Sequence, residues 1–226
     1  MVFVKRITVL LAEDHVIVRE VFRELLEAEA DLEVVGEAQN GRQAVALAKK
    51  LRPAVVVMDI AMPLLNGLEA TRQIRKAIPG AKVLMLSAHS DNAYVEQAMA
   101  FGAVGYLLKQ TSSHDLSRAI RTVQKGNTFF SPSIARRLRD QKRPGRGGAM
   151  RKKVSHLSSR ELEVLQLIAE GKANKQMAAE LGISIKTVEK HRQNLMAKPN
   201  IHDISGLTRY AIGAGIIESS VQLTIV

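Results

Sequence analysis

The sequence predicts an α/β domain with a doubly wound, five-stranded parallel sheet, followed by a smaller all-α domain that contains a helix-turn-helix. Three observations support this prediction. β-Branched runs alternate with amphipathic stretches over the first 125 residues, a basic, glycine-containing segment follows, and the pattern is helical from residue 156. Alternating strands and helices indicate a parallel sheet with helices on both faces. We therefore divide the chain into residues 1–125, a basic linker over 126–155, and a second domain over 156–226.

Five short apolar runs in the first domain have the length and composition of buried strands. Nearly continuous apolar runs are typical of strands covered on both faces. We predict strands at 7–12, 34–37, 54–58, 82–87 and 105–108. The intervening helices are predicted at about 15–29, 41–51, 66–77, 92–101 and 113–125. A further short helix is predicted to open at Ser131 and Pro132 and to continue through Arg139.

The positive charge of the chain is concentrated in the linker. The net charge is +11, and residues 126–155 hold nine basic residues and one acidic residue. The first domain has 16 basic and 14 acidic residues, and the second has eight and seven. A basic block attracts nucleic acid. It is equally compatible with a solvated linker that its charges keep extended.

The composition also narrows the class of protein. The chain has no cysteine, which excludes disulfides and thiolate metal sites and fits a reducing compartment. We expect neither a signal peptide nor a membrane-spanning segment, since spanning needs about 20 consecutive apolar residues. We therefore expect a cytoplasmic protein with no membrane partner.

Polar side chains follow or end four of the predicted strands. Glu13 and Asp14 follow the first strand, Asp59 follows the third, Ser87 ends the fourth, and Lys109 follows the fifth. The carboxyl ends of parallel strands meet at one edge of the sheet, where ligands bind. Three carboxylates there repel one another unless a cation lies among them, and an all-oxygen ligand set favours Mg²⁺. Each residue alone could be a turn, cap or solvated residue, but together they indicate a site.

Such a site suits phosphoryl transfer. Asp59 is the candidate nucleophile, and Lys109 and Ser87 could neutralise and hydrogen-bond the transferred group. Aspartyl phosphatases often carry a second Asp two residues later, whereas this chain has Ala61. We therefore expect a phosphorylated switch and not an enzyme. The enzyme alternative would be revived by measured turnover.

The first domain resembles the flavodoxin-like receiver domain of response regulators. The matching segments are LLAEDH at 10–15, MDIAMPLLNGLEA at 58–70, LSAH at 86–89 and GAVGYLLKQ at 102–110. The resemblance implies that Asp59 is the phosphoacceptor and that Mg²⁺ is held by Glu13, Asp14, Asp59 and the main-chain carbonyl of Ala61. It further implies phosphate contacts from Ser87 and Lys109, and a switch formed by Ser87 and Tyr106. A half-buried surface aromatic is the alternative for Tyr106.

The second domain carries the start and stop signals of a helix-turn-helix. Ser158 and Glu161 form a predicted capping box. Asn174 is the predicted cap of a helix over 175–181, Gly182 provides the turn, and Ser184 caps the next helix. A helix, a short glycine-containing turn and a second helix are typical of this motif.

The second helix of the motif has an exposed polar stripe. Lys186, Glu189, Lys190 and Gln193 are spaced to lie opposite the inward-facing Val188 and Leu195. Charged stripes are by default only solvated, but on this helix they contact bases in the major groove. Thr187 and Arg192 flank the stripe and suit contacts to DNA phosphates.

Residues 156 to about 217 resemble the LuxR-type output domain, and the domain order is similar to the NarL/FixJ response regulators. The resemblance implies a sensor histidine kinase and double-stranded DNA as partners, and a homodimer formed through a last helix at about 205–215. Phosphorylation of Asp59 would then control DNA binding and transcription. The alternative is a constitutive DNA-binding regulator whose receiver only mediates dimerisation. Pro199 departs from the family's usual leucine, so the recognition helix should end by about Ala197, and the packing of the last helix is in question.

Overall fold

The computed structural model describes residues 6–88, 90, 92–110, 113–141, 157–199 and 201–217. The chain divides into two compact units, residues 1–147 and residues 148–226. Within the described ranges, no helix has the length and apolar character needed to cross a membrane.

The first unit is a doubly wound α/β fold, as the sequence predicts, although its parallel sheet has six strands instead of five. The strand order is β2-β1-β3-β4-β5-β6, so the order reverses between β1 and β3. The strands are β1 (Ile7–Ala12), β2 (Leu32–Ala38), β3 (Val55–Asp59), β4 (Val83–Ser87), β5 (Gly105–Leu108) and β6 (Phe129–Phe130). The helices are α1 (Val16–Glu27), α2 (Gly41–Leu51), α3 (Gly67–Ala77), α4 (Asn92–Ala100), α5 (Ser113–Gln124) and α6 (Pro132–Gln141).

Alternate residues of each strand enter apolar clusters on opposite faces of the sheet. Leu10 and Met58 join the cluster packed against α2, α3 and α4. Leu11 and Val57 join the cluster packed against α1 and α5. Every residue of β3 and β4 is buried because both faces are covered. Burying one such aliphatic side chain stabilises the fold by ~1.5–3 kcal/mol. The buried strands β3 and β4 are therefore held firmly in place, and so are the residues at their carboxyl ends.

The segment after α5 is part of the first unit. Phe129 and Phe130 pair with β5 as the sixth strand, and Ile134 of α6 is completely buried in the cluster that contains Tyr106. Ser131 Oγ accepts a hydrogen bond from Leu108 N at 3.0 Å. The predicted linker therefore begins with ordered structure, because β-forming aromatic residues and an amphipathic helix follow one another. Residues 142–155 of that linker lie outside the described residues.

The second unit contains the predicted helix-turn-helix. Its helices are α7 (Ser159–Ala169), α8 (Asn174–Leu181), α9 (Ile185–Ala197) and α10 (Ile204–Gly213). The capping box forms as expected, with Ser158 N donating to Glu161 Oε2 at 2.7 Å. Gly182 ends α8 with a positive φ of 61°, and the Ser184 side chain accepts from Thr187 N at the start of α9. These caps set the turn between the two helices of the motif.

The start of α8 and the end of α9 are defined by neighbouring residues. Asn174 is the first residue of α8 and not its cap, because Ala173 occupies the cap position and its N–H donates to Gln176 Oε1 at 2.9 Å. The recognition helix α9 ends at Ala197, as Pro199 predicts. The last helix packs despite the missing leucine, since Leu207 and Ala211 of α10 are completely buried.

Candidate functional site

The carboxyl ends of neighbouring strands bring the predicted charged residues together. Glu13 follows β1, Asp59 ends β3 and Lys109 follows β5. Lys109 Nζ lies 2.8 Å from Glu13 Oε2 and 3.1 Å from Asp59 Oδ1. Glu13 is 0% exposed and Asp59 is 2% exposed. The cluster lies where the strand order reverses, which is the usual position of a ligand site in an open α/β sheet.

The Asp59 carboxyl is held in an environment that disfavours its charge. Burial is the main cause that raises its pKa from 3.8 to about 7, and the neighbouring Glu13 carboxylate raises it further. The Lys109 ammonium opposes this shift. Burial alone would lower the pKa of Lys109, but the Asp59 and Glu13 carboxylates outweigh it and raise that pKa. Two buried carboxylates thus share one ammonium, which leaves the cleft short of positive charge.

The donor set fits a hard divalent cation. Asp59 Oδ2 is closed to solvent and has no hydrogen-bond partner in the part of the chain that the structure describes. One ligand atom each from Glu13, Asp14 and His15 lie within 4.8 Å of one another. Carboxylate oxygens are the ligands that Mg²⁺ prefers. The sequence did not indicate His15, whose Nδ1 lies 3.0 Å from Asp14 Oδ1 and whose side chain is 66% exposed.

A tight loop after β3 holds Asp59 in place. Gly67 N donates to Ile60 O at 2.9 Å, and a Cβ added at Gly67 would lie 1.8 Å from Asp59 O. Only glycine allows this close approach of the two backbones. Asn66 then caps α3, with its side chain accepting from Glu69 N at 2.9 Å. The main chain of Asp59 therefore depends on the first turn of α3.

The other residues predicted for this site lie on β4, on β5 and in the loop after β3. Ser87 is the last residue of β4 and is 1% exposed. Tyr106 in β5 is completely buried, which excludes the half-buried surface position left open by the sequence. Ala61 lies in the loop two residues after Asp59 and is partly exposed.

Sequence reasoning did not single out Arg19, a buried residue of α1 beside the acidic cluster. Its Nη1 donates to the main-chain oxygen of Glu13 at 2.8 Å, and its Nε donates to Glu37 Oε2 at 3.1 Å. The available signal was its spacing, because Arg19, Phe22 and Leu26 share the inward face of α1 at intervals of three and four residues. A charged residue on that face has a partner inside the fold.

The recognition helix α9 presents the predicted polar stripe. Val188 and Leu195 are completely buried on its inner side. On its outer side Lys186, Glu189, Lys190 and Gln193 are all exposed. Long polar side chains such as these carry the hydrogen-bond donors and acceptors with which base edges can pair.

The two flanking residues are already engaged within the motif. Thr187 Oγ1 lies 2.8 Å from Ser184 Oγ at the start of α9. Arg192 Nη1 donates to Asn174 Oδ1 at 2.6 Å, which joins the recognition helix to α8. This hydrogen bond contributes to holding the two helices of the motif together.

Known proteins share both halves of this arrangement. Residues 9–121 match the family model of the response regulator receiver domain, and residues 155–211 match that of the bacterial regulatory proteins of the luxR family. The response regulator protein VraR of Staphylococcus aureus is 35% identical over 215 residues, covering 94% of this chain and 99% of VraR.

Solved structures agree with this similarity. The RcsB response regulator of Salmonella typhimurium is 29% identical, with a TM-score of 0.57, and the match covers 91% of this chain and 98% of the RcsB chain. A structure described as two RcsB dimers bound to two parallel DNAs is 28% identical, with a TM-score of 0.56, and covers 92% and 99%.

An α/β domain with an acidic cleft, joined to a helix-turn-helix, defines a class of signal-responsive transcription regulators. The chain belongs to the response regulator family, in the NarL/FixJ group that joins a receiver domain to a LuxR-type DNA-binding domain. It is therefore a two-component response regulator that acts on DNA.

Proposed function

We propose that Asp59 is the phosphoacceptor and that a sensor histidine kinase, or a small phosphodonor, supplies the phosphoryl group in the cytoplasm. The observation that carries this proposal is the Asp59 carboxylate, which has one oxygen 3.1 Å from Lys109 Nζ and the other buried without a hydrogen bond. In the transfer, the phosphorus–nitrogen bond of a phosphohistidine breaks and a phosphorus–oxygen bond to Asp59 forms. The imidazole nitrogen keeps the electron pair.

The surrounding residues provide charge and orientation. Glu13, Asp14, Asp59 and the main-chain oxygen of Ala61 would hold Mg²⁺, which when bound neutralises and orients phosphate oxygens. After the transfer, the Lys109 ammonium pairs with the new phosphate as well as with the carboxylates. Since Lys109 already lies between Glu13 and Asp59, it needs little reorganisation to do so.

Ser87 and Tyr106 transmit the modification. Ser87 ends the strand next to β5, and its movement toward the phosphate opens space into which the Tyr106 ring can turn. Tyr106 O accepts from Ser131 N at 3.1 Å, directly before α6. A change in β5 therefore reaches the segment that leads toward the second unit.

The second unit reads DNA through the exposed stripe of α9. Lys186, Glu189, Lys190 and Gln193 contact base edges, while Thr187 and Arg192 contact phosphates. The protein binds as a homodimer, with the exposed face of α10, including Ile204 and Ile212, as the contact between copies. The structure described as two RcsB dimers bound to two parallel DNAs supports binding as a dimer.

Phosphorylation by acetyl phosphate and Mg²⁺ tests the site. Intact-mass spectrometry should detect one phosphoryl group on the wild type and none on Asp59→Asn. The control is Asp115→Asn, which alters an aspartate paired with Arg118 and should be labelled normally. Labelling of Asp59→Asn would contradict the assignment.

DNA binding tests the coupling between the two units. The phosphorylated full chain should bind operator DNA more tightly than the unmodified chain in a gel-shift titration. An affinity that phosphorylation leaves unchanged would favour the alternative, a constitutive regulator whose receiver only mediates dimerisation.

A further inference from the structure

We propose that Arg19 is a positioning residue that holds Glu13 for metal binding and so sets the affinity of the acidic site for Mg²⁺. This inference rests on the proposed function of that site. Arg19 is only 6% exposed, although its guanidinium is always charged. Burying such a group is costly unless it is paired and fully hydrogen-bonded. Its partners therefore indicate which part of the fold depends on it.

The Arg19 guanidinium contacts the main chain of the residue that supplies a buried carboxylate. Nη1 donates to Glu13 O at 2.8 Å, and Nε donates to Glu37 Oε2 at 3.1 Å. On the other side, Glu13 N donates to Ala38 O at 3.0 Å. Both peptide groups that flank the Glu13 Cα are thus held by hydrogen bonds. The side chain leaves this fixed main chain in a defined direction.

The peptide group that Arg19 holds also joins Glu13 to Asp14. Loss of the hydrogen bond to Glu13 O leaves a buried carbonyl without its donor and frees this peptide to rotate. Rotation would move the two carboxylates relative to each other. Mg²⁺ demands near-ideal octahedral geometry, so a change in the spacing of its ligands weakens binding. The loss of a hydrogen bond that orients a metal ligand typically lowers affinity by about 10- to 100-fold.

Arg23 provides a matched control on the same helix. It lies one turn after Arg19, and its Nη1 contacts Glu37 Oε1 at 3.3 Å. A further ion pair joins Arg23 to Glu27, at 3.5 Å. Arg23 thus shares the Glu37 partner of Arg19 while its contacts lie away from the Glu13 main chain. If the loss of any arginine from α1 weakened Mg²⁺ binding, replacing Arg23 would weaken it as much as replacing Arg19.

The experiment is a calorimetric Mg²⁺ titration of the full chain, with metal-free urea unfolding measured in parallel. Arg19→Met should weaken Mg²⁺ binding by about 10- to 100-fold. Arg23→Met should leave the dissociation constant unchanged. Arg19→Lys should be intermediate, because one ammonium cannot reproduce the two-sided geometry of the guanidinium.

The outcomes separate this inference from the proposed function. An unchanged dissociation constant in folded Arg19→Met would show that Arg19 is only a structural ion pair and would overturn the inference. If Arg19→Met does not fold, Arg19→Lys decides in the same way. Wild-type protein that neither binds Mg²⁺ nor accepts a phosphoryl group would instead refute the proposed function.

Discussion

Replacing Asp59 by asparagine should stabilise the metal-free protein, although it removes the phosphoacceptor. Asparagine resembles the protonated carboxyl and cannot ionise. The pKa of Asp59 rises from 3.8 to about 7 because the side chain is buried beside Glu13. At ~1.36 kcal/mol for each pKa unit, this difference corresponds to ~4 kcal/mol of destabilisation by the ionised form above pH 7.

The titration of Asp59 makes the stability of the wild type depend on pH. Because the folded pKa lies above the unfolded value, the folded state keeps a proton that the unfolded chain loses between pH 3.8 and about pH 7. The free energy of unfolding of the wild type therefore falls as pH rises through this window. The advantage of Asp59→Asn should grow from ~2 kcal/mol at about pH 5 to ~4 kcal/mol at about pH 8.

Urea unfolding in the presence of a chelator measures this advantage. Hydrogen exchange in peptides from β1 and β3, followed by mass spectrometry, reports on the first unit separately from the second. Adding Mg²⁺ should then raise the free energy of unfolding of the wild type, by ~2.7 kcal/mol at a concentration 100 times the dissociation constant. The same addition should raise that of Asp59→Asn much less. An advantage that is absent at about pH 8, or equal at both pH values, would refute the argument.

Three further predictions concern other parts of the fold. Gly67→Ala should abolish labelling by acetyl phosphate and destabilise the first unit, because the added Cβ would lie 1.8 Å from Asp59 O. The control is Gly80→Ala, whose Cβ would meet no atom within 4 Å and which should be labelled normally. Burial alone would raise the pKa of Glu161, but hydrogen bonds from Lys198 and Ser158 lower it, so Glu161 stabilises the fold above its unfolded pKa of 4.5. Glu161→Gln should lower the free energy of unfolding of the second unit by ~1.5–3 kcal/mol at about pH 7, and this loss should disappear when urea unfolding is repeated at acid pH. A loss that does not change with pH would contradict the charge-based explanation. Lys190→Ala should weaken binding to operator DNA by ~1–3 kcal/mol in gel-shift titrations, and an affinity as high as that of the exposed control Lys49→Ala would show that the stripe does not read DNA.

The positions of the acidic residues were predictable because they depend on local signals. Apolar runs mark the strands, and a residue that follows a parallel strand lies at a known edge of the sheet. This reasoning placed Glu13, Asp59 and Lys109 together, and the structure joins them by ion pairs of 2.8 and 3.1 Å. The end of α9 at Ala197 was predictable for a similar reason, since proline restricts the residue before it.

Other features depend on partners far apart in sequence. Asn174 looked like a helix cap, but its side chain accepts from Arg192, 18 residues later. The sequence predicted a helix after Ser131 but assigned it to the linker and missed β6, whereas Ile134 of α6 belongs to the core cluster that contains Tyr106. Each of these outcomes follows from packing that the local pattern does not contain.

Local periodicity and capping were enough to predict the order of the first five strands and their helices, the residues at the sheet edge and the polar stripe of the recognition helix. Only the tertiary structure showed that Arg19 holds the main chain of Glu13 and that burial raises the pKa of Asp59 to about 7. Both depend on how α1, β1, β2 and β3 pack together. Burial and hydrogen-bond geometry are properties of the assembled fold, and no short segment of this chain contains them.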